Sequence, residues 1–221
     1  MEAVTKDRIL IAAEQLFAEK GYDAVTIREI TSKARCNLSL VYYYFGSKKK
    51  LYLEVFKERW ARRAKELHEA FFAAIDNFKP STLDDVIRIL TMTYLEKKMD
   101  TEHLQVHLQL ISRELQKPTE ALDFIFHDII RPFFSRLEQL IRPFLNSQVK
   151  KEDVILSLFS VFAQVVHFIH SRHVLPKLLE RPFDLSTKEL LIRHITAFSM
   201  YGMSGLMAHN DTVSFNSREL K

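Results

Sequence analysis

Hydrophobic side chains recur at intervals of three and four residues along almost the whole chain, a spacing that predicts α-helices from end to end. The first such group consists of Ile9, Ala12, Ala13, Leu16 and Phe17. Gly21 follows this group, where a left-handed residue would end a helix. No two-residue hairpin turn or alternating strand pattern competes with the helical signal. We therefore predict an all-α protein with about nine helices.

Capping residues and prolines predict where these helices begin and break. Thr26 is the expected N-cap of a second helix over 27–34, and Asn37 that of a third helix reaching about Tyr44. Ser47 precedes a long basic fourth helix, from Lys48 to about 78. Later starts are predicted at Ser81 with Asp84, at Asp100 or Thr101, at Pro118-Thr119, at Asp153, and at Ser186 with Glu189. Pro132 and Pro143 should kink or break the segment 119–146.

Positive charge is concentrated near the N-terminus. The chain of 221 residues has a formal net charge of +4, whereas residues 28–63 hold 10 basic and 3 acidic side chains and sum to +7. The other 185 residues therefore sum to −3. Such a cluster is expected of a module that meets phosphate groups, and the alternative is a solvated helix face.

Composition excludes several classes of protein. With 4 glycines, the chain is poorly suited to a doubly wound nucleotide-binding fold or a β-sandwich. Cys36 is the single cysteine, which excludes an internal disulfide and a thiolate-rich metal site. Nine histidines include His103 with His107, one helical turn apart, yet no closed ligand set with cysteine is available, so we predict no metal and no cofactor. Charged residues at the N-terminus do not match a signal peptide, and we expect a cytoplasmic protein.

The segment from Val154 to Ser171 lacks Lys, Arg, Asp and Glu and approaches the length of a membrane span. Polar residues recur along one face of it, namely Ser157, Ser160, Gln164, His167 and Ser171. We interpret it as a buried helix outside any membrane. The polar stripe on 157–171 is consistent with a ligand cavity, a subunit interface or ordinary core packing.

The first 45 residues predict a helix-turn-helix, because the short second and third helices are joined only by Arg35 and Cys36. The third helix would present its N-terminal side chains to base edges, while flanking donors hold phosphates. We expect Arg28 to reach a guanine, and Tyr42 and Lys48 to contact the DNA backbone. The predicted DNA-contacting residues are Thr26, Arg28, Asn37, Leu38, Ser39, Leu40, Tyr42, Tyr43, Tyr44 and Lys48. The three consecutive tyrosines would also suit stacking on single strands, but their place between two helix caps favours duplex DNA.

At these residues the chain resembles the TetR family of bacterial transcriptional regulators. The resemblance is carried by Ile9-Leu10-Ile11-Ala12-Ala13, Leu16-Phe17, Lys20-Gly21-Tyr22, Thr26-Ile27-Arg28-Glu29-Ile30, Ala34, Tyr42-Tyr43-Tyr44-Phe45, Ser47-Lys48 and Leu51. The family's Ala-Gly-Val-Ser turn is replaced by Ala34-Arg35-Cys36-Asn37. Further motifs are similar to the CecR-like subgroup of the family, namely Asn37-Leu38, Phe45-Gly46-Ser47-Lys48, Arg113-Glu114-Leu115, Pro118-Thr119 and Ile130-Arg131-Pro132.

From the sequence itself we expect a loosely ordered tail at 211–221. The resemblance implies a helix-turn-helix domain at 1–47, a connecting helix at 48–80, and a helical effector-binding and dimerisation domain at 81–210. It also implies that the last two helices form a dimer bundle, and that members control transport and drug sensitivity. We also expect an edge of small residues, Ser199, Gly202 and Gly205, where a partner helix could approach closely. We expect a cavity for a small organic effector that includes His107, Arg113, Phe124, Phe134, Gln164 and His167.

Together these observations predict a homodimeric, ligand-responsive regulator that represses transcription from a palindromic operator. The expected partners are double-stranded DNA, a small organic effector and a second copy of the chain, without a membrane. One alternative is an all-α enzyme or carrier for an acidic small molecule, which leaves the helix-turn-helix spacing unexplained. Another is a membrane-surface protein that uses the basic fourth helix and the apolar segment 154–169. We expect no enzymatic activity, because no nucleophile elbow or phosphate loop occurs.

Overall fold

The structure, a computed structural model, describes residues 2–96 and 101–208, and every regular element in these ranges is a helix. The first six α-helices are α1 (Glu2–Lys20), α2 (Ile27–Ala34), α3 (Leu38–Phe45), α4 (Lys48–Val55), α5 (Ala61–Phe78) and α6 (Leu83–Glu96). The other six are α7 (Thr101–Gln116), α8 (Glu120–Ile125), α9 (Arg131–Ile141), α10 (Lys151–His170), α11 (Leu175–Leu178) and α12 (Leu185–Ala208). The all-α prediction is confirmed.

Two π-helical turns and two prolines explain how the long helical stretches continue or end. A π-helical turn, Phe56–Trp60, joins α4 to α5, so the predicted fourth helix from 48 to 78 is continuous. A second one, Phe126–Ile130, lies just before Pro132, which cannot donate to the carbonyl four residues earlier, and the helix continues into α9. At Pro143 the helix ends in a 3₁₀ turn, Arg142–Phe144. The predicted break therefore occurs at Pro143.

The chain divides into two compact units. The first unit combines the described residues up to Ala70 with 101–133, so α7 and α8 share a core with α1 to α4. Fully buried side chains from both stretches meet there, including Phe17, Phe56, Leu110 and Ile125. The predicted functional boundaries at 47 and 80 are not the boundaries of these compact units, because residues 101–133 pack with the N-terminal helices.

The second unit contains 71–96 and the described residues from 134 onward. Its helices α6, α10 and α12 pack against one another. Leu95, Val165 and Ile195 belong to the core that they enclose. The tail predicted for 211–221 lies outside the described residues.

Three predicted helix starts were wrong by a few residues. Helix α6 is capped by Thr82, whose hydroxyl accepts a hydrogen bond from the Asp85 amide at 3.2 Å while the Asp85 carboxylate accepts the Thr82 amide at 3.0 Å. Helix α12 is capped by Asp184, which accepts the Thr187 amide at 2.9 Å, so the expected box of Ser186 with Glu189 is not used. Helix α10 begins at Lys151, and its start has no side-chain cap.

Helix α10 contradicts the prediction that the apolar segment 154–171 is buried. Over Lys151–His173 the mean hydropathy of the most apolar window is 1.7, yet only 22% of that window is buried in the chain. Length and composition alone would let this helix cross a membrane, which is weak evidence because core helices of soluble proteins pass the same test. Val154, Leu158, Val161 and Val165 are its buried residues. The other side exposes apolar groups such as Phe159, which is 59% exposed.

Candidate nucleic-acid interface

The start of α2 is fixed by a reciprocal capping box. The hydroxyl of Thr26 accepts a hydrogen bond from the Glu29 amide at 3.2 Å, and the Glu29 carboxylate accepts the Thr26 amide at 2.7 Å. Lys20 donates to the same carboxylate at 2.8 Å. The hydrogen bonds from Lys20 and Thr26 lower the pKa of Glu29 to about 2, so this box stays charged and intact at neutral pH. Arg28 is held beside it, exposed, in the first turn of α2.

The turn between α2 and α3 keeps a tight helix ending although it lacks the expected glycine. Arg35 adopts the left-handed conformation, with φ 50° and ψ 53°. Its amide donates to the Ser32 carbonyl at 3.2 Å, and the Cys36 amide donates to the Thr31 carbonyl at 3.0 Å. This pair of bonds is a Schellman ending, which a left-handed residue completes. The substitution of arginine for glycine therefore leaves the turn geometry intact.

Asn37 caps α3, as predicted: its side-chain oxygen accepts the Leu40 amide at 3.1 Å and the Ser39 hydroxyl at 2.9 Å. Only two of the eight residues of α3, Val41 and Phe45, are buried. The predicted reading residues lie on the remaining surface. Leu38 is 43% exposed, Tyr42 49% and Tyr43 72%, whereas Leu40 and Tyr44 are half-buried and pack against the core of the first unit.

Lys48 lies at the N-terminal end of α4, next to the loop before α2. Its ammonium is 4.5 Å from the centre of the Tyr22 ring and donates to the Asp23 carbonyl at 3.4 Å. Ser47 caps the helix by accepting the Lys50 amide at 3.1 Å. Lys49 and Lys50 are exposed beside it. Three consecutive lysines therefore begin α4, and the ammonium of Lys48 lies at the loop that leads into α2.

The segment 113–120, which we call the α7–α8 corner, is bound to these same elements. Arg113 donates to the Ala18 carbonyl at 2.6 Å and to the Glu19 carbonyl, both in the last turn of α1. Lys117 forms an ion pair with Asp23. The expectation that Arg113 anchors an effector is therefore corrected, because its guanidinium is engaged with the C-terminus of α1.

Glu114 of the α7–α8 corner is a buried carboxylate that the sequence did not single out as functional. It is fully buried and accepts the Tyr52 hydroxyl at 2.8 Å, the Thr119 amide at 2.7 Å and the Leu122 amide at 3.0 Å. Burial and this hydrogen bond raise the pKa of Tyr52, which stays protonated. One side chain therefore caps α8 and connects it to α4.

A second group of buried polar side chains lies in the core that α1, α5 and α7 share. The Glu14 carboxylate accepts the Arg59 Nε at 2.5 Å and Arg63 at 3.0 Å. Burial raises the pKa of Glu14, but the hydrogen bonds and charges of Arg63 and Arg59 outweigh it, so the pKa is lowered and the group is ionised. Close by, the His107 ring stacks on Trp60 with 4.9 Å between the ring centres.

The six predicted effector residues fall in different units. His107, Arg113 and Phe124 belong to the first unit, and Phe134, Gln164 and His167 to the second. The Gln164 amide donates to the Ser199 hydroxyl at 3.4 Å, which connects α10 to α12. His167 is exposed and is 3.3 Å from the Ser171 hydroxyl. Gln164 is thus directed to α12, which settles the direction of one member of the polar stripe.

Of the three small residues predicted at a dimer edge, Ser199 is buried and Gly202 is exposed on α12. A methyl group placed on Gly202 would meet no atom within 4 Å. The burial of Gly205 lies outside what the structure describes. Large apolar side chains are exposed on α10 and α12, and these are Ile155, Leu156, Phe159, Leu185, Phe198 and Tyr201.

Within the described residues, no cluster of histidine, cysteine or carboxylate side chains has the geometry to hold a metal ion. A small cavity of about 80 Å³ in the first unit is lined by Tyr22, Lys49, Tyr52, Leu53, Thr119, Glu120 and Ala121.

Comparison with known proteins identifies this arrangement. Residues 9–55 match the family described as bacterial regulatory proteins, tetR family, and residues 83–203 match the C-terminal domain of the HTH-type transcriptional dual regulator CecR. The chain belongs to the TetR family, with a CecR-type C-terminal domain. TetR regulators bind DNA, and this chain is a DNA-binding transcriptional regulator and not an enzyme.

Individual relatives agree with the family. The dual regulator CecR of Shigella flexneri is 27% identical over 215 residues, which cover 91% of this chain and 92% of that protein. The transcriptional repressor NicS of Pseudomonas putida is 40% identical over 57 residues, 26% of this chain and 27% of that protein. A TetR-like regulator from Rhodococcus sp. RHA1 has the same fold, with a TM-score of 0.60, 17% identity, and coverage of 92% of this chain and 97% of that one.

Proposed function

We propose that this TetR-family protein is a homodimeric repressor that binds a palindromic operator and leaves it when a small organic effector binds. The observation that carries the proposal is α3, a slim capped helix with two buried residues and an otherwise accessible surface. A helix of this kind fits the major groove, where each base pair presents a distinct pattern of donors and acceptors. Repression accords with the role of the transcriptional repressor NicS, and dual regulation, the role of CecR, is the second candidate.

The side chains divide into two groups by their surroundings. Arg28 and Tyr43 are exposed at the start of α2 and on α3, and we assign them to base edges. Lys48 is oriented by Tyr22 and Asp23, and we assign it to a phosphate, together with Tyr42. Leu40, half-buried on α3, would contact a thymine methyl group. The remaining members of the proposed interface, Thr26, Asn37, Leu38, Ser39 and Tyr44, hold or flank these groups.

The proposed homodimer rests on the apolar face of α10 and α12. Leu156 is 64% exposed, Phe198 62% and Tyr201 82%. Apolar side chains gathered on one pair of helices are typical of an interaction surface. Gly202, exposed on α12, allows close approach of a partner helix, and Gly205 completes that proposed edge. Ser199 does not belong to the edge, because it is buried within the chain and bonded to Gln164. Two reading helices related by a twofold axis require a site with matching symmetry.

We place the effector site at the predicted effector residues of the first unit that remain available, His107 and Phe124. To release DNA, the effector must bind the DNA-free conformation more tightly than the DNA-bound one. The helical stretch from Lys48 to Phe78 begins beside the DNA-contacting elements and passes from the first unit into the second, so it is the proposed connection. We place the protein in the cytoplasm, where operator DNA and metabolites meet.

The direct experiment is to incubate the purified full chain with fragmented genomic DNA and to sequence the fragments that it retains. The proposal predicts enrichment of one inverted-repeat sequence upstream of coding regions, and repression of a reporter driven by such a fragment. A parallel sedimentation assay with anionic lipid vesicles tests the membrane-surface alternative. Binding to vesicles without enrichment of any DNA sequence would refute the proposed function.

A further inference from the structure

Two polar nitrogens inside the first unit have no partner among the described residues. These are Nε1 of Trp60 and Nδ1 of His107, and both atoms are buried. Trp60 is 6% exposed and its indole N–H can only donate a hydrogen bond. The His107 ring lies flat against Trp60, with 4.9 Å between the ring centres and 9° between the planes. Because a buried donor without an acceptor costs about 1 to 3 kcal/mol, this pair is suited to a bound group that supplies oxygen acceptors.

The charges around the pair favour an anion. The buried carboxylate of Glu14 faces two guanidinium groups, those of Arg59 and Arg63. Asp7 is the second acidic partner of Arg59, at 3.2 Å, and because its side chain is 60% exposed it offsets the charge of Arg59 less strongly than a buried carboxylate would. Among the buried side chains, two guanidinium groups thus face one carboxylate, next to the unpartnered Nε1 of Trp60 and Nδ1 of His107.

His107 and the neighbouring His68 do not add to that positive charge. Burial lowers the pKa of His107 to about 3, helped by the charge of Arg63 and opposed by that of Glu14. Burial likewise lowers the pKa of His68 to about 4, and its ring stacks on Phe133 at 3.9 Å. Both imidazoles are therefore neutral at pH 7, and Nδ1 of His107 can serve as a second neutral donor.

The backbone at this place is also unusual. Trp60 and Arg59 belong to the π-helical turn Phe56–Trp60, which interrupts the helix between α4 and α5. Turns of this type occur mostly as single-turn insertions in α-helices and are frequent at functional sites. Here the turn brings Arg59 to Glu14 while Trp60 lies against His107 of α7.

We propose that Trp60 and His107, with Arg63 beside them, form a binding site for the carboxylate group of a small organic acid. The proposal rests on the effector function proposed above and names the ligand class of that function. The carboxylate oxygens would accept the Trp60 N–H and the His107 N–H, and the excess positive charge of Arg59 and Arg63 would stabilise the anion. The organic part of the ligand would lie on the half-buried side of His107.

The site has a short connection to the DNA-contacting elements. A series of aromatic contacts leads from the π-helical turn through α4 to the loop before α2. Trp60 contacts Phe56 with 6.1 Å between the ring centres, Phe56 contacts Tyr52 at 5.2 Å, and Tyr52 contacts Tyr22 at 4.9 Å. Tyr22 is the ring on which the Lys48 ammonium lies. A carboxylate that moves Trp60 would therefore act on the same packed row that positions a proposed phosphate contact.

Trp60 is the only tryptophan of the chain, so its fluorescence reports on this site alone. The experiment titrates the full chain at pH 7 with benzoate and, separately, with hexanoate, which distinguishes an aromatic from an aliphatic acid. Benzylamine, of similar shape to benzoate but opposite charge, is the ligand control. We expect a saturable change in emission with one carboxylate or both, and none with benzylamine.

The matched variants are His107→Phe, which keeps a stacked ring but removes the nitrogen, and His127→Phe, an exposed histidine of the same unit. We expect the affinity for the acid to fall about tenfold or more in His107→Phe, because this variant loses a hydrogen bond to a charged group. The affinity should stay unchanged in His127→Phe. His107→Gln, which restores an N–H donor, should recover part of the affinity and serves if the phenylalanine variant does not fold. Equal affinity in the wild type and both His107 variants would overturn the site, as would no response to either acid or an equal response to benzylamine.

Duplex DNA affinity is measured on the same samples with and without the acid, so the two proposals can fail separately. Lower DNA affinity with the acid bound supports both. Acid binding with unchanged DNA affinity supports the site and contradicts its role in operator release. DNA binding without any response of Trp60 to the acids overturns the site and leaves the DNA-binding proposal in place.

Discussion

At the scale of single residues, Arg35 illustrates how this chain departs from its family at a turn. A side chain in the left-handed region costs roughly 1 kcal/mol, which glycine avoids. Arg35 accepts this cost at φ 50° and still completes both hydrogen bonds of the helix ending. Replacing Arg35 by glycine should remove this conformational cost.

We therefore expect Arg35→Gly to raise the free energy of unfolding by about 0.5 to 1 kcal/mol. The gain is limited because glycine has more conformational freedom than arginine in the unfolded chain and loses it on folding. Urea unfolding followed by circular dichroism measures this value. Arg35→Ala is the control, because it removes the same charge but keeps the Cβ atom, and it should give no gain. An equal gain in both variants would assign the effect to charge repulsion and contradict the strain.

The buried histidines give the stability a dependence on pH with a definite sign. The folded-state pKa of His68 is about 4, below its ordinary value of 6.5. The unfolded chain therefore binds the proton first as the pH falls, so the stabilisation is complete above pH 6.5 and declines between pH 6.5 and about 4. His68→Phe should flatten this decline in urea unfolding curves recorded across that range, and His127→Phe should not. A decline of the same slope in wild type and His68→Phe would contradict the assignment.

Short-range chemistry explains which residues could be predicted from the sequence. Thr26, Asn37 and Thr119 cap the helices expected of them, because a cap bonds to an amide only two or three residues away. Where two capping residues stand close together, the choice was wrong: Asp184 is used where Ser186 was expected. The partners of Glu114 and Trp60 could not be predicted, because Tyr52 and His107 lie 62 and 47 positions away along the chain.

At the scale of helices, the α7–α8 corner is the feature that most changes the predicted organisation. Its residues were assigned to an effector domain, yet Arg113 binds the end of α1 and Glu114 holds Tyr52 of α4. Lys117 adds an ion pair with Asp23. Sequence patterns could place the helix boundaries here but not the long-range contacts. The corner is thus a structural part of the first unit, which holds the proposed DNA contacts.

The contribution of Glu114 is testable by truncation. Glu114→Ala leaves the Tyr52 hydroxyl and the Thr119 and Leu122 amides without their acceptor, so we expect a loss of about 2 to 4 kcal/mol in the free energy of unfolding. The matched control is Glu120→Ala, whose ion pair with Lys49 is exposed and should contribute less than about 1 kcal/mol. Denaturant unfolding measures the free energy of unfolding of the two variants. Similar losses in both would contradict the proposed importance of burial.

At the scale of the whole molecule, the unpartnered apolar side of α10 and α12 leads to a prediction about assembly. Phe198→Glu would place a charge in the proposed dimer interface, and we expect the molar mass from light scattering to shift from two chains towards one. Leu115→Glu, at a residue of the first unit that is 58% exposed, should leave the mass unchanged. A wild-type mass of one chain at micromolar concentration, with or without DNA, would refute the homodimer.

The central claim is that α2 and α3 read the sequence of duplex DNA while Lys48 holds its backbone. The most direct test measures the affinity of Arg28→Ala and Lys48→Ala for the enriched fragment and for a shuffled duplex, over a series of salt concentrations. We predict that Arg28→Ala loses about 1 to 3 kcal/mol on the enriched fragment with little change on the shuffled one. Lys48→Ala should weaken both alike and reduce the salt slope by about 1. Equal losses on both duplexes for both variants would contradict sequence reading by this helix-turn-helix.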